Sequence, residues 1–309
     1  MRADRDPALV PRAEGAGSSS RAALAARLLR AHQWVKNLLV FVPVVAAHRL
    51  ERDLLARAGV AFLAFCLCAS SAYVVNDVLD LEADRATPAK ARRPLAAGEV
   101  TVRTGLLFSA AALIAGCGLA AVLSPAFLAL LGTYWAATLA YSLRLKRVPM
   151  LDVIVLASLY TVRVLGGTFA TGVPTSTWLF TFAMFLFLSL ALVKRTSELH
   201  HVRLRAAASA TGRGYGAADL EVLSHLGSAS GYLAILVLAM YISNPDVTRL
   251  YSHHERLWLL CPLGLYWVGR LWLLANRGLV HEDPVVFALR DRPSYVVACL
   301  GLAVVYAAV

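Results

Sequence analysis

Residues 58–84 read AGVAFLAFCLCASSAYVVNDVLDLEAD. The first eighteen, 58–75, are apolar or small and carry no charge, long enough to cross most of a bilayer core of ~30 Å as a helix. The run then closes on four oxygen-bearing side chains, Asn76, Asp77, Asp80 and Asp84. Asn76, Asp80 and Asp84 are spaced i, i+4, i+8, and Asp77 precedes Asp84 by two helical turns. On a continuous helix all four line one face. Crowding carboxylates at a helix C-terminus is costly twice over, because they repel one another and meet the negative end of the helix dipole. A divalent cation removes both penalties, and oxygen ligands with room for water and phosphate oxygens suit Mg²⁺. The alternative reading is a solvated acidic loop.

Working outward, the same alternation of apolar run and charged cluster continues. The chain has 309 residues, 59% hydrophobic and only 16% charged, where a soluble domain carries about a quarter charged residues. Further charge-poor runs span 104–123, 124–143 and 226–243. Val164 to Val193 holds no charge, and Gly172 and Pro174 divide it into two helices beginning near Leu151 and Ser176. Weaker runs lie at 37–48 (with Pro43), 257–275 (with Arg270) and 293–309. The expected architecture is an all-α, polytopic integral membrane protein with nine transmembrane helices. Residues 1–20 lack the apolar stretch of a cleavable signal, and 1–28 reads as a disordered or amphipathic segment ahead of a membrane domain at 29–309.

The net charge of +11 suits basic loops beside anionic lipid better than nucleic acid, because the apolar runs leave little soluble chain. With the N-terminus in the cytosol and nine alternating helices, the cytosolic segments hold 24 of the 30 Lys and Arg, and the opposite side holds five. That asymmetry sets the orientation. It puts every candidate group on the cytosolic side of a cell inner (plasma) membrane. The five cysteines lie inside apolar runs with no disulfide or zinc spacing, and read as small buried hydrophobes.

Other clusters surround the acidic one. Lys90-Ala91-Arg92-Arg93 follows it, and Arg grips phosphate bidentately; the plain alternative is positive-inside charge. Tyr141, Lys146 and Asp152 mark the junction of the fourth and fifth helices, where Asp152 is either functional or a helix N-cap. Arg163 lies eleven residues on, about 16 Å deeper in a helix, and a charge at that depth faces a cavity or a partner. Lys194 and Arg195 end the sixth helix, where cations also suit the helix dipole. Lys36 and Asn37, after Trp34, stand at the mouth of the first helix, and Glu282-Asp283-Pro284 lie in the last loop.

With these motifs together, the sequence resembles the UbiA superfamily of intramembrane prenyltransferases. Nine helices with an Asn-Asp-x-x-Asp-x-x-x-Asp motif on the second are what that superfamily has, and the resemblance runs from about Leu29 to Val309. Within it, HQWVKNLLVF, NDVLDLEADRATPAKARRPLAAG, YSLRLKRVPMLDV, VRVLGG and LVKRTSE are similar to the decaprenyl-phosphate phosphoribosyltransferases. The aromatic prenyltransferases of the superfamily carry a second DxxxD motif after helix four, where this chain has Asp152 alone.

The resemblance implies Mg²⁺-dependent transfer of 5-phosphoribose from cytosolic 5-phosphoribosyl diphosphate to a polyprenyl phosphate from the bilayer, for cell-envelope glycan precursors. Asn76, Asp77, Asp80 and Asp84 would hold the metal. Asp77, Asp80, Asp84 and Asp152 would be catalytic. Lys36, Asn37, Lys90, Arg93, Tyr141, Lys146, Arg163, Lys194 and Arg195 would bind substrate. One alternative is prenyl transfer from a prenyl diphosphate to an aromatic or other acceptor. An ion-coupled transporter ranks lower, because its carboxylates belong near the midplane and these sit at the membrane edge.

Overall fold

The computed structural model describes residues 21–88, 90–174, 176–204, 214–245, 247, 250–280 and 283–309, and every regular element among them is a helix. Most of the expected N-terminal segment, and Glu282, lie outside the described residues. After α1 (Arg21–Leu28), a 3₁₀ segment, Ala31–Phe41, runs into α2 (Val42–Ala46). Then come α3 (Arg52–Leu79), α4 (Leu81–Ala86), α5 (Val102–Leu123), α6 (Pro125–Leu143), α7 (Leu151–Thr171) and α8 (Thr177–Leu204). The chain finishes with α9 (Leu220–Ile242), α10 (Leu260–Asn276), α11 (Pro284–Ala288) and α12 (Arg292–Ala308).

Among the described residues seven helices, α3 and α5 to α10, are long and apolar enough to cross a membrane, and α12 is a shorter apolar helix of 17 residues. Their outer faces are apolar as well. Ile114 and Val122 on α5 are 72% and 80% exposed, and Leu302 on α12 is 69% exposed. A soluble surface does not present such a band, whereas lipid does. The chain is therefore an all-α polytopic membrane protein.

The expected first span, 37–48, takes a different form. Trp34, Asn37 and Val40 are spaced i, i+3, i+6, the repeat that a 3₁₀ helix stacks on one edge. Each meets a neighbour there. Trp34 Nε1 donates to Ser70 Oγ at 3.0 Å, and Asn37 Oδ1 accepts from Arg163 Nε at 2.8 Å. The Val40 carbonyl lies against Gly167, where an added Cβ would stand 2.1 Å from its oxygen. Tertiary contacts thus select the tighter helix. At about 2.0 Å rise per residue it also extends further than an α-helix of the same length. The expected start of the 226–243 helix likewise moves upstream, to Leu220.

Helix ends follow local chemistry elsewhere. Thr101 caps α5 through Thr104 N at 3.2 Å, and Ser124 with Pro125 opens α6. Asp291 caps α12 and also takes a bidentate bond from Arg270 at 2.7 and 2.9 Å, tying α10 to α12. Close packing of α8, α9 and α10 depends on Gly227, where an added Cβ would stand 2.1 Å from the Trp272 ring.

Candidate active site

The acidic motif does not form one continuous stripe. α3 stops at Leu79, Asp80 takes φ −97° and ψ 13°, and α4 begins at Leu81. The bend separates the four oxygen donors into two sets. Asn76 and Asp80 line a cavity of about 390 Å³. Asp77 and Asp84 turn toward the loop after α4, where Arg93 Nη1 donates to both, at 3.0 and 2.5 Å. Arg30 also bonds Asp77, and Lys90 Nζ lies 3.5 Å from Asp84 Oδ1. Asp80 instead accepts from Lys146 Nζ at 3.1 and 3.2 Å. Basic side chains thus stand where the expected single metal cluster would place an ion, and among the described residues no group of three acidic, His or Cys side chains converges.

The cavity wall is strongly basic. Arg30, Lys36, Lys90, Arg93, Lys146, Arg163 and Lys194 line it, against the carboxylates Asp80, Glu198 and Asp283. Tyr141 lines it too. Nine expected site residues therefore meet there: Lys36, Asn76, Asp80, Lys90, Arg93, Tyr141, Lys146, Arg163 and Lys194. Asn37, Asp77, Asp84, Asp152 and Arg195 do not line it.

Arg163 sits at the buried end. Its guanidinium donates to Asn37 Oδ1 and, at 2.7 Å, to the Tyr134 hydroxyl. It also bonds the Leu159 carbonyl and lies 4.9 Å from the Tyr134 ring centroid and 5.4 Å from that of Tyr160. Asn37 is thus a positioning group that holds Arg163, and its amide donates to Cys66 Sγ at 3.2 Å. Among the described residues no carboxylate hydrogen-bonds or ion-pairs with Arg163, and its charge faces the cavity.

Asp283 anchors the opposite wall. Lys36 Nζ donates to it at 2.7 Å, Lys194 Nζ lies 3.5 Å away, and the Tyr160 hydroxyl donates at 3.2 Å. Its Oδ1 also caps α11 through Val285 N at 3.1 Å. Burial pushes the Asp283 carboxyl up, but Lys36 and Lys194 outweigh that and hold it well below the usual carboxylate range. Burial pulls the Lys36 ammonium down to about 8, with Asp283 opposing and Lys194 and Arg163 reinforcing.

Asp152 is not an N-cap, because Met150 holds that position and Asp152 is the second residue of α7. Its carboxylate is fully buried against Arg195, with Oδ2 at 2.5 Å from Arg195 Nη2. The Tyr215 hydroxyl donates to Asp152 Oδ1 at 2.5 Å and accepts from Met150 N at 2.7 Å. Arg195 also bonds Glu198, which does line the cavity. This pair sits behind the wall, fixing α7, α8 and the segment at Tyr215 relative to one another.

Several cavity groups carried no sequence signal strong enough to single out. Tyr73 and Tyr134 are aromatic residues in apolar helices, and Arg30 sits among other basic residues. Tyr160 was legible in principle, since it precedes Arg163 by three residues on the same helical face.

The model of the UbiA prenyltransferase family matches residues 38–287. The chain belongs to that family. Among relatives, an uncharacterised protein, y4nM, of Sinorhizobium fredii is 41% identical over 88% of this chain and 53% of its own length. This chain thus spans about half of y4nM. The nodulation protein NoeC of Azorhizobium caulinodans is 34% identical over 89% of each chain. The decaprenyl-phosphate phosphoribosyltransferase of Mycolicibacterium smegmatis is 38% identical over 56% of each. The solved structure of a UbiA homologue from Archaeoglobus fulgidus bound to DMAPP and Mg²⁺ superposes with a TM-score of 0.67 and 17% identity, covering 91% of this chain and 98% of that one. The shared UbiA fold accounts for the all-helical architecture of this chain.

Proposed function

We propose that this chain transfers 5-phosphoribose from 5-phosphoribosyl diphosphate to a polyprenyl phosphate of decaprenyl type, with Mg²⁺ as cofactor and diphosphate as the second product. The observation that carries the reading is the spread of cations around one cavity: Arg93 and Lys146 beside the acidic motif, Arg163 at the buried end, Lys36 and Lys194 on the far wall. A prenyl diphosphate is anionic at one end only and would leave several of these unused. A donor with a diphosphate at C1 and a phosphate at C5, together with an anionic acceptor, matches the excess of seven cations over three carboxylates on the cavity wall. The similarity to a decaprenyl-phosphate phosphoribosyltransferase supports the same donor and acceptor.

The oxygen donors suit a hard cation once Lys146 and Arg93 turn from the carboxylates to an anionic substrate. Asn76 and Asp80 offer oxygens to the cavity, the Asp80 side chain is 32% exposed, and the buried Asp84 Oδ1 has no hydrogen-bond partner. Asn76 and Asp80, with Asp77 and Asp84 behind them, would hold Mg²⁺. When bound, Mg²⁺ neutralises charge growing on the leaving diphosphate. Lys146 and Arg93, now spent on the aspartates, are the cations nearest that diphosphate. The C1–O bond to diphosphate breaks, and a lipid phosphate oxygen forms the new bond to C1. That oxygen is already anionic, so no general base is needed. Lys36, Arg163 and Lys194 orient the remaining phosphates, and Asp152 with Arg195 is a positioning pair. The donor enters from the cytosol at the plasma membrane, and the polyprenyl tail stays in the bilayer.

Purified protein is incubated with Mg²⁺, polyprenyl phosphate and ribose-labelled 5-phosphoribosyl diphosphate. Label in the lipid fraction is the expected result. Prenyl transfer to an aromatic acceptor, with no phosphoribose transfer, overturns the proposal in favour of a prenyltransferase.

A further inference from the structure

A second cleft, of about 330 Å³, lies beside the main cavity, and of its lining only Arg93 and Asp77 have a role above. It opens between the end of α1, the start of the 3₁₀ segment and the loop after α4. Arg27, Arg30, Arg92 and Arg93 line it, with His32 and Gln33, and Asp77 is the one carboxylate on its wall. Arg30, Gln33 and Arg93 line both cavities, so the two share a wall.

Four guanidinium groups brought together from three segments repel one another. Carboxylates offset only part of this. Asp77 accepts from Arg30 and Arg93, and Glu99 takes Arg27 in a fork at 2.9 Å on each oxygen. The Arg27–Glu99 pair is exposed, at 41% and 35%, and such pairs are weak and easily exchanged. The exposed Arg92 side chain makes no hydrogen bond or ion pair among the described residues.

The cleft is also held in place. Arg27 Nη2 donates to the Arg92 carbonyl at 2.7 Å, which ties α1 to the loop. Arg30 adopts the left-handed conformation, φ 51° and ψ 47°, where an L residue is strained. That turn places its guanidinium 5.2 Å from the Tyr73 ring centroid and against Asp77. A solvated basic face needs neither the strain nor the tie.

We infer that this cleft is a second anion site, separate from the main cavity, which binds a phosphate-bearing group through Arg27 and Arg92 with Arg30 and Arg93 at its base. The phosphate belongs either to an anionic lipid headgroup or to a free polyphosphate. An anion there competes with Asp77 for Arg30 and Arg93, which couples the cleft to the acidic motif. The inference rests on the cleft's own lining and does not require the proposed transfer reaction, although Arg93 serves both cavities.

Inorganic diphosphate is titrated calorimetrically, without Mg²⁺, into wild type and an Arg27→Gln/Arg92→Gln variant in nanodiscs of neutral phosphatidylcholine. Wild type shows two classes of site. The variant retains one and weakens the other by at least about tenfold, since it loses two charge-assisted contacts. Lys146→Gln, on the main cavity, weakens the complementary class. Repeating the titration in discs containing phosphatidylglycerol identifies the source. If diphosphate binding at the cleft disappears there, and native mass spectra retain phosphatidylglycerol on wild type but not on the variant, the ligand is a headgroup. Unchanged cleft binding points to free phosphate. Identical isotherms for wild type and variant, with no difference in retained lipid, overturn the inference. If the double variant melts early, Arg92→Gln alone carries the test, because its side chain has no partner to lose.

Discussion

Asp152→Asn separates a positioning role from direct contact with substrate. The substitution keeps shape and removes one charge from a fully buried pair. Arg195 is then left with Glu198, whose side chain is 34% exposed, and with the neutral Tyr215 hydroxyl nearby. Removing one partner of a buried ion pair costs about 3–5 kcal/mol, and the remaining Glu198 contact argues for the lower end, about 3 kcal/mol. Asp80→Asn is the contrast. Its carboxylate is 32% exposed and, among the described residues, pairs with Lys146 alone, so stability changes by less than about 1 kcal/mol. Unfolding is followed in detergent by near-ultraviolet circular dichroism, and turnover is measured below the unfolding range. Asp152→Asn is expected to lower the midpoint by several degrees and raise the donor KM as Lys194 and Glu198 shift. Asp80→Asn is expected to keep the midpoint and lose turnover by two orders of magnitude or more. An Asp152→Asn protein with wild-type stability and a hundredfold lower kcat would refute the reasoning, because it would put Asp152 in contact with the reacting groups.

Lys36 sets a pH dependence with two opposite signs. Its ammonium, lowered to about 8, loses its charge as pH rises through that value, so donor affinity falls above pH 8, and Lys36→Arg moves the limb upward. The unfolded chain keeps that proton up to its ordinary value of 10.5, so Lys36 makes stability rise with pH between about 8 and 10.5; a parallel fall of both in that window contradicts the assignment. Gly167→Ala places a Cβ against the Val40 carbonyl oxygen, which no side-chain rotation relieves, and is expected to destabilise the fold and shift Asn37 and Lys36, read as a lower melting midpoint together with weaker donor binding. Lys194→Ala is expected to lose most transfer activity while the protein still folds, since Lys36 and Tyr160 continue to hold Asp283; full activity would remove Lys194 from the substrate site. Single cysteines introduced at Arg92 and at Ser252 are expected to label from opposite sides of sealed vesicles, and labelling of both from outside would reject the cytosolic orientation.

The sequence by itself determined that the chain is a helical membrane protein and that most of its charge falls in short clusters between apolar runs. Both follow from one-dimensional quantities, namely the length of apolar runs and the rank order of charges along the chain. Lys36, Asn76, Asp80, Lys146, Arg163 and Lys194 were legible because a charge or amide beside lipid needs a reason to be there. What only the tertiary structure decided is which of the polar residues face the cavity and which face one another. Asp152 and Asp80 look alike along the chain, each next to a loop and near basic residues. Yet Asp152 is buried against Arg195, forty-three positions away, while Asp80 opens to the cavity. The bend at Asp80 that divides the acidic motif, and the 3₁₀ segment that presents Asn37 to Arg163, likewise come from contacts between distant segments. Periodicity records how a segment is wound and which side chains share its face. It carries no information about the partner that the face will meet, because that partner is brought up by helix packing, and packing is set by shape, as where Gly167 lets the Val40 backbone touch α7.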